Sequence, residues 1–185
     1  ELARFDADIA SSQHIAGGKG LCGDCANYFS SGTGEMIAVI SDGMGTGGRA
    51  AVDSNMAVSI LKKLTQAGLS FDSALSVINS SLMVKSEDES LATLDVVNIN
   101  LFSGKTTFFK AGAPLTFVKR GGRILKRENA SLPAGILNDI KFAKDSLNLH
   151  HGDRVLMVSD GALFADDAWL CDMLKSWNEA SAKDF

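Results

Sequence analysis

Hydrophobic residues in the first half of the chain follow two spacings, and each spacing predicts a different element. Residues 36–41 (Met-Ile-Ala-Val-Ile-Ser) form a short apolar run rich in β-branched side chains, which predicts a fully buried strand. Between residues 52 and 64 apolar side chains recur at every fourth position, which predicts a helix that ends at Gly68. A second helix is predicted to begin near Ser70, because the apolar residues after it again share one helical face.

The middle of the chain changes to a period of two, which is typical of β-strands. Residues 94–101 follow this period, and Gly104 and the pair Gly121-Gly122 mark tight turns. Further strands are predicted over 106–111, 115–119, 123–126, 142–147 and 155–159, the last of them fully buried. A final helix is predicted around residues 170–177. Two helices inserted between antiparallel strands favour an α+β layered sandwich, and residues 1–185 are predicted to form one domain.

Composition excludes several classes of function. The 185 residues carry 18 Lys and Arg against 22 Asp and Glu, a net charge of −4 with a pI near 5.3. A general nucleic-acid-binding protein needs a basic face, and the scattered basic residues disfavour an anionic membrane surface as a partner. No apolar run approaches the roughly 20 residues that cross a bilayer, and no charged-then-apolar leader precedes the fold. We therefore expect no nucleic-acid partner and no direct membrane contact from this segment.

The cysteines favour a reducing, cytoplasmic compartment, because there are three of them and no secretory signal. Cys22 and Cys25 form a Cys-x-x-Cys pair, which is compatible with a redox or metal site. A structural zinc site needs two more soft ligands in a matching pair, and the remaining Cys171 and three histidines do not provide one. The favoured interpretation is two small residues that flank a turn at Gly23-Asp24.

The strongest chemical signal is a repeated Ser-Asp-Gly sequence. Residues 40–43 and 158–161 both place it at the end of a predicted apolar strand. Asp42 and Asp160 are costly to desolvate and would repel each other if they met. A divalent cation removes both penalties, because Mg²⁺ and Mn²⁺ prefer oxygen ligands, and the carbonyl of the glycine after each aspartate adds a further ligand. For either aspartate alone, a turn or a helix cap is the favoured role; for the pair, a metal site is favoured.

Other catalytic schemes fit the sequence less well. A cysteine-dependent phosphatase needs an arginine six residues after its nucleophile, and those positions hold Tyr28, Ser31 and Trp177. A serine hydrolase needs a Gly-x-Ser-x-Gly elbow, which is absent from the sequence. The histidines, His14, His150 and His151, are expected in loops. The glycine-rich residues 43–48 resemble the adenine-binding box of histidine-kinase-type ATPases, so an ATP-binding domain stays as an alternative.

Six short motifs occur in the order seen in the phosphatase domain of sporulation stage II protein E, which is a metal-dependent Ser/Thr protein phosphatase of the 2C type. They are residues 22–24 (Cys-Gly-Asp), 40–47 (Ile-Ser-Asp-Gly-Met-Gly-Thr-Gly), 92–95 (Ala-Thr-Leu-Asp), 117–121 (Phe-Val-Lys-Arg-Gly), 132–135 (Leu-Pro-Ala-Gly) and 158–161 (Val-Ser-Asp-Gly). The chain resembles this family from about residue 9 to residue 163, and residues 41–47 are its most specific match.

The resemblance implies a PPM-type α-β-β-α sandwich with two Mn²⁺ or Mg²⁺ ions in a cleft at one edge. It implies that Asp42 bridges both ions, that Gly43 contributes its backbone carbonyl, that Asp160 supports one ion, and that Asp24 acts on the second through water. The ions lower the pKa of a bridging water, which attacks the phosphorus. Related phosphatases act on a phosphoserine of a small regulatory protein that antagonises an anti-sigma factor, and such a protein is the partner that the resemblance implies.

One departure from the family motivates another alternative. The family ends with an Asp-Asp-Met/Ile-Thr-Val strand whose aspartate completes the first metal site, and the sequence stops at Phe185 without it. Asp166-Asp167 is no substitute, because it follows the Asp160 strand directly. We therefore expect the C-terminal strand to be missing from these residues, and a catalytically impaired phosphoprotein-binding module on the same fold is the alternative. The sequence leaves open a homodimer and a membrane-anchored parent protein.

Overall fold

The computed structural model describes residues 2–15, 20–45, 47–85, 90–128, 131–138, 142–163, 166–178 and 181–185. Within these ranges the helices are α1 (Gly48–Gln66), α2 (Phe71–Lys85) and α3 (Ala168–Ser176). The strands are β1 (Asp24–Ser30), β2 (Glu35–Asp42), β3 (Leu94–Asn100), β4 (Lys105–Ala111), β5 (Thr116–Arg120), β6 (Arg123–Arg127), β7 (Ala143–Asn148) and β8 (Arg154–Met157). Short 3-10 turns lie at Asp160–Ala162 and Ala182–Asp184.

The strands form two antiparallel sheets. The larger sheet has the order β1-β2-β3-β4-β7, and the smaller has the order β6-β5-β8. A cluster of buried apolar residues from both sheets fills the space between them. β1 is therefore an edge strand of the larger sheet and β8 an edge strand of the smaller one, which places the residues after β8 at a margin of the sandwich.

Helices cover the outer face of each sheet. One apolar cluster joins α1 and α2 to the larger sheet, and another joins α3 to the smaller sheet. The three interfaces between the layers contain the buried pairs Leu61 and Val39, Phe108 and Val118, and Phe117 and Leu174. The layers follow the order α-β-β-α, which confirms the predicted sandwich. Apolar burial between four layers supplies the main stabilisation, at roughly 25 cal/mol per Å².

Two strand predictions need correction. The segment 36–41 was predicted to be fully buried, but burial alternates along β2, with Ile37, Val39 and Ser41 buried and the residues between them only partly so. Successive residues of a strand face opposite sides of the sheet, and the partly buried ones lie on the side opposite the fully buried Ile37 and Val39, which pack in the cluster with the helices. The segment 155–159 was also predicted to be a fully buried strand, but β8 ends at Met157 and is only partly buried because it is an edge strand.

The sequence pattern did not predict β1. The predicted turn at Gly23-Asp24 is wrong, because Asp24 is the first residue of this strand. The residues of β1 are mixed polar and apolar and show no strand pattern; the segment is a strand because its backbone pairs with β2. Across the described ranges, no helix combines the length and the apolar character needed to cross a membrane.

The core of α1 gives a direct test of this architecture. Leu61→Ala is expected to lower the free energy of unfolding by about 2–5 kcal/mol, because Leu61 is fully buried against the larger sheet. Val52→Ala in the same helix is the matched control; its side chain is 54% exposed, so the change is expected to stay within about 0.5 kcal/mol. Chemical denaturation of both variants measures the difference, and equal losses would contradict the packing.

Candidate active site

Asp24 and Asp42 meet because of the register between the first two strands. Asp24 opens β1 and Asp42 closes β2, and the two residues are direct cross-strand partners. Directly opposite residues of an antiparallel pair have Cβ atoms about 5 Å apart. The hairpin therefore places two carboxylates together at one end of the larger sheet.

Asp160 reaches the same place from the smaller sheet. It begins the 3-10 turn that follows β8, and it lines a cavity of about 40 Å³ together with Asp42. The preceding residue joins the two sheets directly, since Ser159 Oγ donates a hydrogen bond of 2.7 Å to Asp24 Oδ2. The two Ser-Asp-Gly sequences, more than one hundred residues apart, thus converge on one corner of the sandwich.

Burial and the neighbouring carboxylates together raise the pKa of Asp42 from 3.8 to about 7. Burial is the largest cause, followed by hydrogen bonding to Asp24 and the negative charges of Asp24 and Asp160. Within the described part of the chain, no Lys or Arg forms an ion pair with any of the three. Among the described residues, this corner therefore concentrates negative charge without a Lys or Arg in a direct ion pair with it.

Thr93 fixes the backbone at Asp42. Its hydroxyl accepts a hydrogen bond of 3.0 Å from the Asp42 amide, and its own amide donates to the Asp42 carbonyl at 2.8 Å. Ser41 Oγ donates to the Thr93 carbonyl at 2.8 Å. The serines of the two Ser-Asp-Gly sequences therefore have different roles: Ser41 binds Thr93, just before β3, whereas Ser159 binds Asp24.

Gly43 is required for space. A Cβ at this position would lie 1.9 Å from the carbonyl oxygen of Ala50, in the first turn of α1. A Cβ at Gly23 would lie 3.5 Å from both Asp42 Oδ1 and the Gly43 carbonyl oxygen, so these two oxygens face the same small region. The Gly43 carbonyl therefore lies near the Asp42 carboxylate, and the close packing of α1 on Gly43 leaves no room for a side chain at this position.

The described residues do not enclose a metal ion by themselves. Across those ranges, no three His, Cys, Asp or Glu side chains are gathered closely enough to enclose an ion. The polar groups that this corner offers are carboxylate oxygens of Asp42 and Asp160 and the Gly43 carbonyl oxygen. Carboxylate, carbonyl and water oxygens are the ligands that Mg²⁺ and Mn²⁺ prefer.

Other residues considered from the sequence lie outside this cluster. Cys25 Sγ is 3.3 Å from Asn55 Oδ1, Cys22 Sγ is 3.9 Å from the His14 carbonyl, and both thiols are free. Asp167 pairs with Lys126 at 2.7 Å. Thr46 of the glycine-rich segment lies outside the described residues.

Sequence reasoning missed two residues that line the cavity, Thr93 and Asp95. Both belong to the Ala-Thr-Leu-Asp motif, for which no role was predicted. The sequence did contain one indication of this site: Asp95 is a charged residue within an apolar strand, between Leu94 and Val96-Val97.

The steric requirement at Gly43 predicts different effects for the two glycines that follow the aspartates. Gly43→Ala is expected to lower the melting temperature by several degrees, because backbone atoms of Ala50 must move. Gly161→Ala is the matched control, since a Cβ there meets no atom within 4 Å. Thermal unfolding of both variants measures the difference; an unchanged melting temperature for Gly43→Ala would contradict the close approach.

Repulsion at Asp42 predicts a stabilising substitution. A raised folded-state pKa means that ionised Asp42 destabilises the metal-free fold as the pH rises from about 4 to 7. Asp42→Asn is therefore expected to raise the melting temperature in chelator at pH 8 by roughly 2–4 °C, about 1 kcal/mol, a value reduced for solvent screening. The gain is expected to vanish near pH 4.

The control for this charge effect is Asp172→Asn. Asp172 is exposed and pairs only with Lys175 at 3.0 Å, so its substitution is expected to leave the melting temperature nearly unchanged at both pH values. A lower melting temperature for Asp42→Asn than for the wild type at pH 8 would contradict repulsion at this corner.

Comparisons with known proteins agree with this geometry. The family model of stage II sporulation protein E (SpoIIE) matches residues 32–177. Stage II sporulation protein E of Bacillus subtilis is 38% identical over 149 residues, which are 80% of this chain and 18% of that protein. The chain thus spans about a fifth of the length of that relative.

Solved structures show the same fold. One contains the PP2C phosphatase domain and a fragment of the regulatory domain of the cell fate determinant SpoIIE from Bacillus subtilis; it has a TM-score of 0.78 and 33% identity, over 88% of this chain and 50% of that one. The structure of RsbX in complex with magnesium has a TM-score of 0.72 at 20% identity, over 90% of this chain and 78% of that one, which shows the fold alone. Because the family model covers most of its length, the chain belongs to the stage II sporulation protein E family.

Proposed function

We propose that this chain carries the catalytic site of a metal-dependent protein serine/threonine phosphatase. The observation that supports this most is the meeting of Asp24, Asp42 and Asp160 from two different sheets, without a protein cation among the described residues. Three such carboxylates are stabilised by a bound cation, and the donors around them are all oxygens. Membership of a family with a solved PP2C phosphatase domain gives independent support.

The residues present fit a divalent ion, and we assign each a role. Asp42 lies between the other carboxylates and would hold the ions, with the Gly43 carbonyl beside it. Asp160 would bind from the opposite wall of the cavity. Asp24, whose Oδ2 accepts the hydrogen bond from Ser159, has one oxygen left for an ion or its water. When bound, Mn²⁺ or Mg²⁺ would acidify a water nucleophile and neutralise charge on the phosphoryl oxygens; we propose two ions, as in the 2C-type phosphatases.

The size of the cavity favours a protein substrate. At about 40 Å³ it is far below the roughly 300 Å³ of a pocket that encloses a small molecule. A phosphoserine on an exposed segment of a partner protein would present its phosphoryl group to this corner from outside. We propose a small phosphorylated regulatory protein of the anti-sigma-factor-antagonist type, acting in the cytoplasm, where the free thiols of Cys22 and Cys25 would stay reduced.

Phosphate release is the test of this function. The longest natural chain that contains these residues is expected to release phosphate from a phosphoserine protein and from an aryl phosphate when Mn²⁺ is added. Asp42→Asn is expected to reduce the rate at least 100-fold, because the central ligand loses its charge. Asp172 is an exposed aspartate that does not line the cavity, so Asp172→Asn is the matched control and is expected to keep the wild-type rate.

Continued turnover in excess chelator would refute the proposal. The incomplete set of ligands motivates a second candidate, a phosphoprotein-binding module without catalysis. Calorimetry separates the two: that module would bind a phosphoserine peptide with unchanged affinity in chelator and show no heat of Mn²⁺ binding. Nucleotide binding is not proposed, because the similar solved structure at 33% identity contains a PP2C phosphatase domain.

A further inference from the structure

A buried ion pair lies beside the cavity. Asp95 in β3 and Lys110 in β4 are direct cross-strand partners, and they are 1% and 0% exposed. Lys110 Nζ lies 2.8 Å from Asp95 Oδ2. Burial raises the pKa of Asp95 and lowers that of Lys110, and the attraction between the two groups opposes both changes.

The pair connects the two sheets. Lys110 Nζ also donates to Thr116 Oγ1 at 2.8 Å and to the Pro114 carbonyl at 2.5 Å, so all three of its protons are used. Thr116 Oγ1 donates to Asp95 Oδ2 at 2.5 Å. Oδ2 thus accepts from two donors, as a carboxylate oxygen does. Because Thr116 belongs to β5 and Pro114 lines the cavity, the pair fixes one wall of the site.

Among the described residues, the second oxygen of Asp95 has no hydrogen-bond partner. Oδ1 is fully buried and makes no hydrogen bond among the described residues, although Asp95 lines the cavity that contains Asp42 and Asp160. A buried acceptor without a partner costs about 1–3 kcal/mol. A cavity of about 40 Å³ exceeds the roughly 10–15 Å³ that one water needs, and the side chains of Asp42, Thr93 and Ser159 in its lining are polar partners for such a water.

Packing alone does not account for a charge pair at this position. Apolar residues of similar volume are often as stable as a buried ion pair, and sometimes more so. The surrounding cluster between the sheets is apolar, with Val97 and Phe108 as the next inward-facing positions of β3 and β4. The unpartnered oxygen of Asp95, in a residue that lines the same cavity as Asp42 and Asp160, therefore indicates that Asp95 acts on what binds beside these two aspartates.

We propose that Asp95 is a positioning residue for the divalent-ion site. Its free oxygen Oδ1 accepts a hydrogen bond from a water in the cavity, and this turns the oxygen of that water toward the corner formed by Asp42 and Asp160. Lys110 supplies the balancing charge and holds the carboxylate in place. The inference rests on the proposed function, because it assigns Asp95 a role toward the ion that the corner would hold.

The test compares ion affinity with stability. Asp95→Asn keeps the shape of the side chain and can still accept from Lys110, but it replaces the free carboxylate oxygen with an amide donor. We expect Mn²⁺ to bind about 10–100-fold more weakly by calorimetry. We also expect a lower melting temperature in chelator, because Lys110 is left buried without its counter-charge, so Mn²⁺ affinity is measured at a temperature at which the variant remains folded.

A matched control and a second variant make the outcome decisive. Thr106→Val, in the same strand as Lys110, removes a buried hydroxyl that donates only to the Gly104 carbonyl, and it should leave Mn²⁺ affinity unchanged. If Asp95→Asn does not fold, the double variant Asp95→Asn/Lys110→Met removes both charges together, which proteins commonly tolerate. It is expected to show the same loss of affinity.

The outcomes separate this inference from the proposed function. Wild-type affinity in Asp95→Asn, or an equal loss in Asp95→Asn and Thr106→Val, overturns the positioning role alone. Mn²⁺ binding by the wild type that Asp42→Asn abolishes supports the proposed function whatever Asp95→Asn shows. A wild-type protein that binds no Mn²⁺ overturns both.

Discussion

Repulsion between carboxylates at one corner of the sandwich is the constraint on which the rest of the site depends. Asp24 and Asp42 face each other across the first hairpin, and Asp160 approaches from the other sheet. The fold gains nothing from this arrangement in the absence of a cation, since burial and neighbouring charges raise the pKa of Asp42 to about 7. A local loss of folding stability of this kind is typical of functional sites, where residues are selected for activity rather than for stability.

Several neutral contacts hold the charged groups in this unfavourable arrangement. Thr93 brackets the backbone of Asp42 with two hydrogen bonds, and Gly43 allows the first turn of α1 to press against the strand end. Lys110 anchors Asp95 and the wall that carries Pro114. The positions of the carboxylates are therefore set by backbone pairing and close packing, so the site is organised before any ion arrives.

The sequence predicted the helices, most strands and the pair of aspartates, because each leaves a local pattern. The repeated Ser-Asp-Gly was sufficient to propose that Asp42 and Asp160 meet, and the shared cavity confirms it. β1 was not predicted, since its residues carry no alternating apolar pattern and it exists through pairing with β2. The role of Asp95 could not be predicted either, because an unpartnered oxygen is a property of the assembled sheets.

The hydrogen bond from Ser159 to Asp24 connects the edges of the two sheets within the candidate site itself. Ion occupancy and closure of the sandwich are then linked thermodynamically, since an ion that binds only the closed form stabilises that closure. By reciprocity, any partner that wedges the sheets apart at this connection would lower the affinity for the ion without touching a ligand.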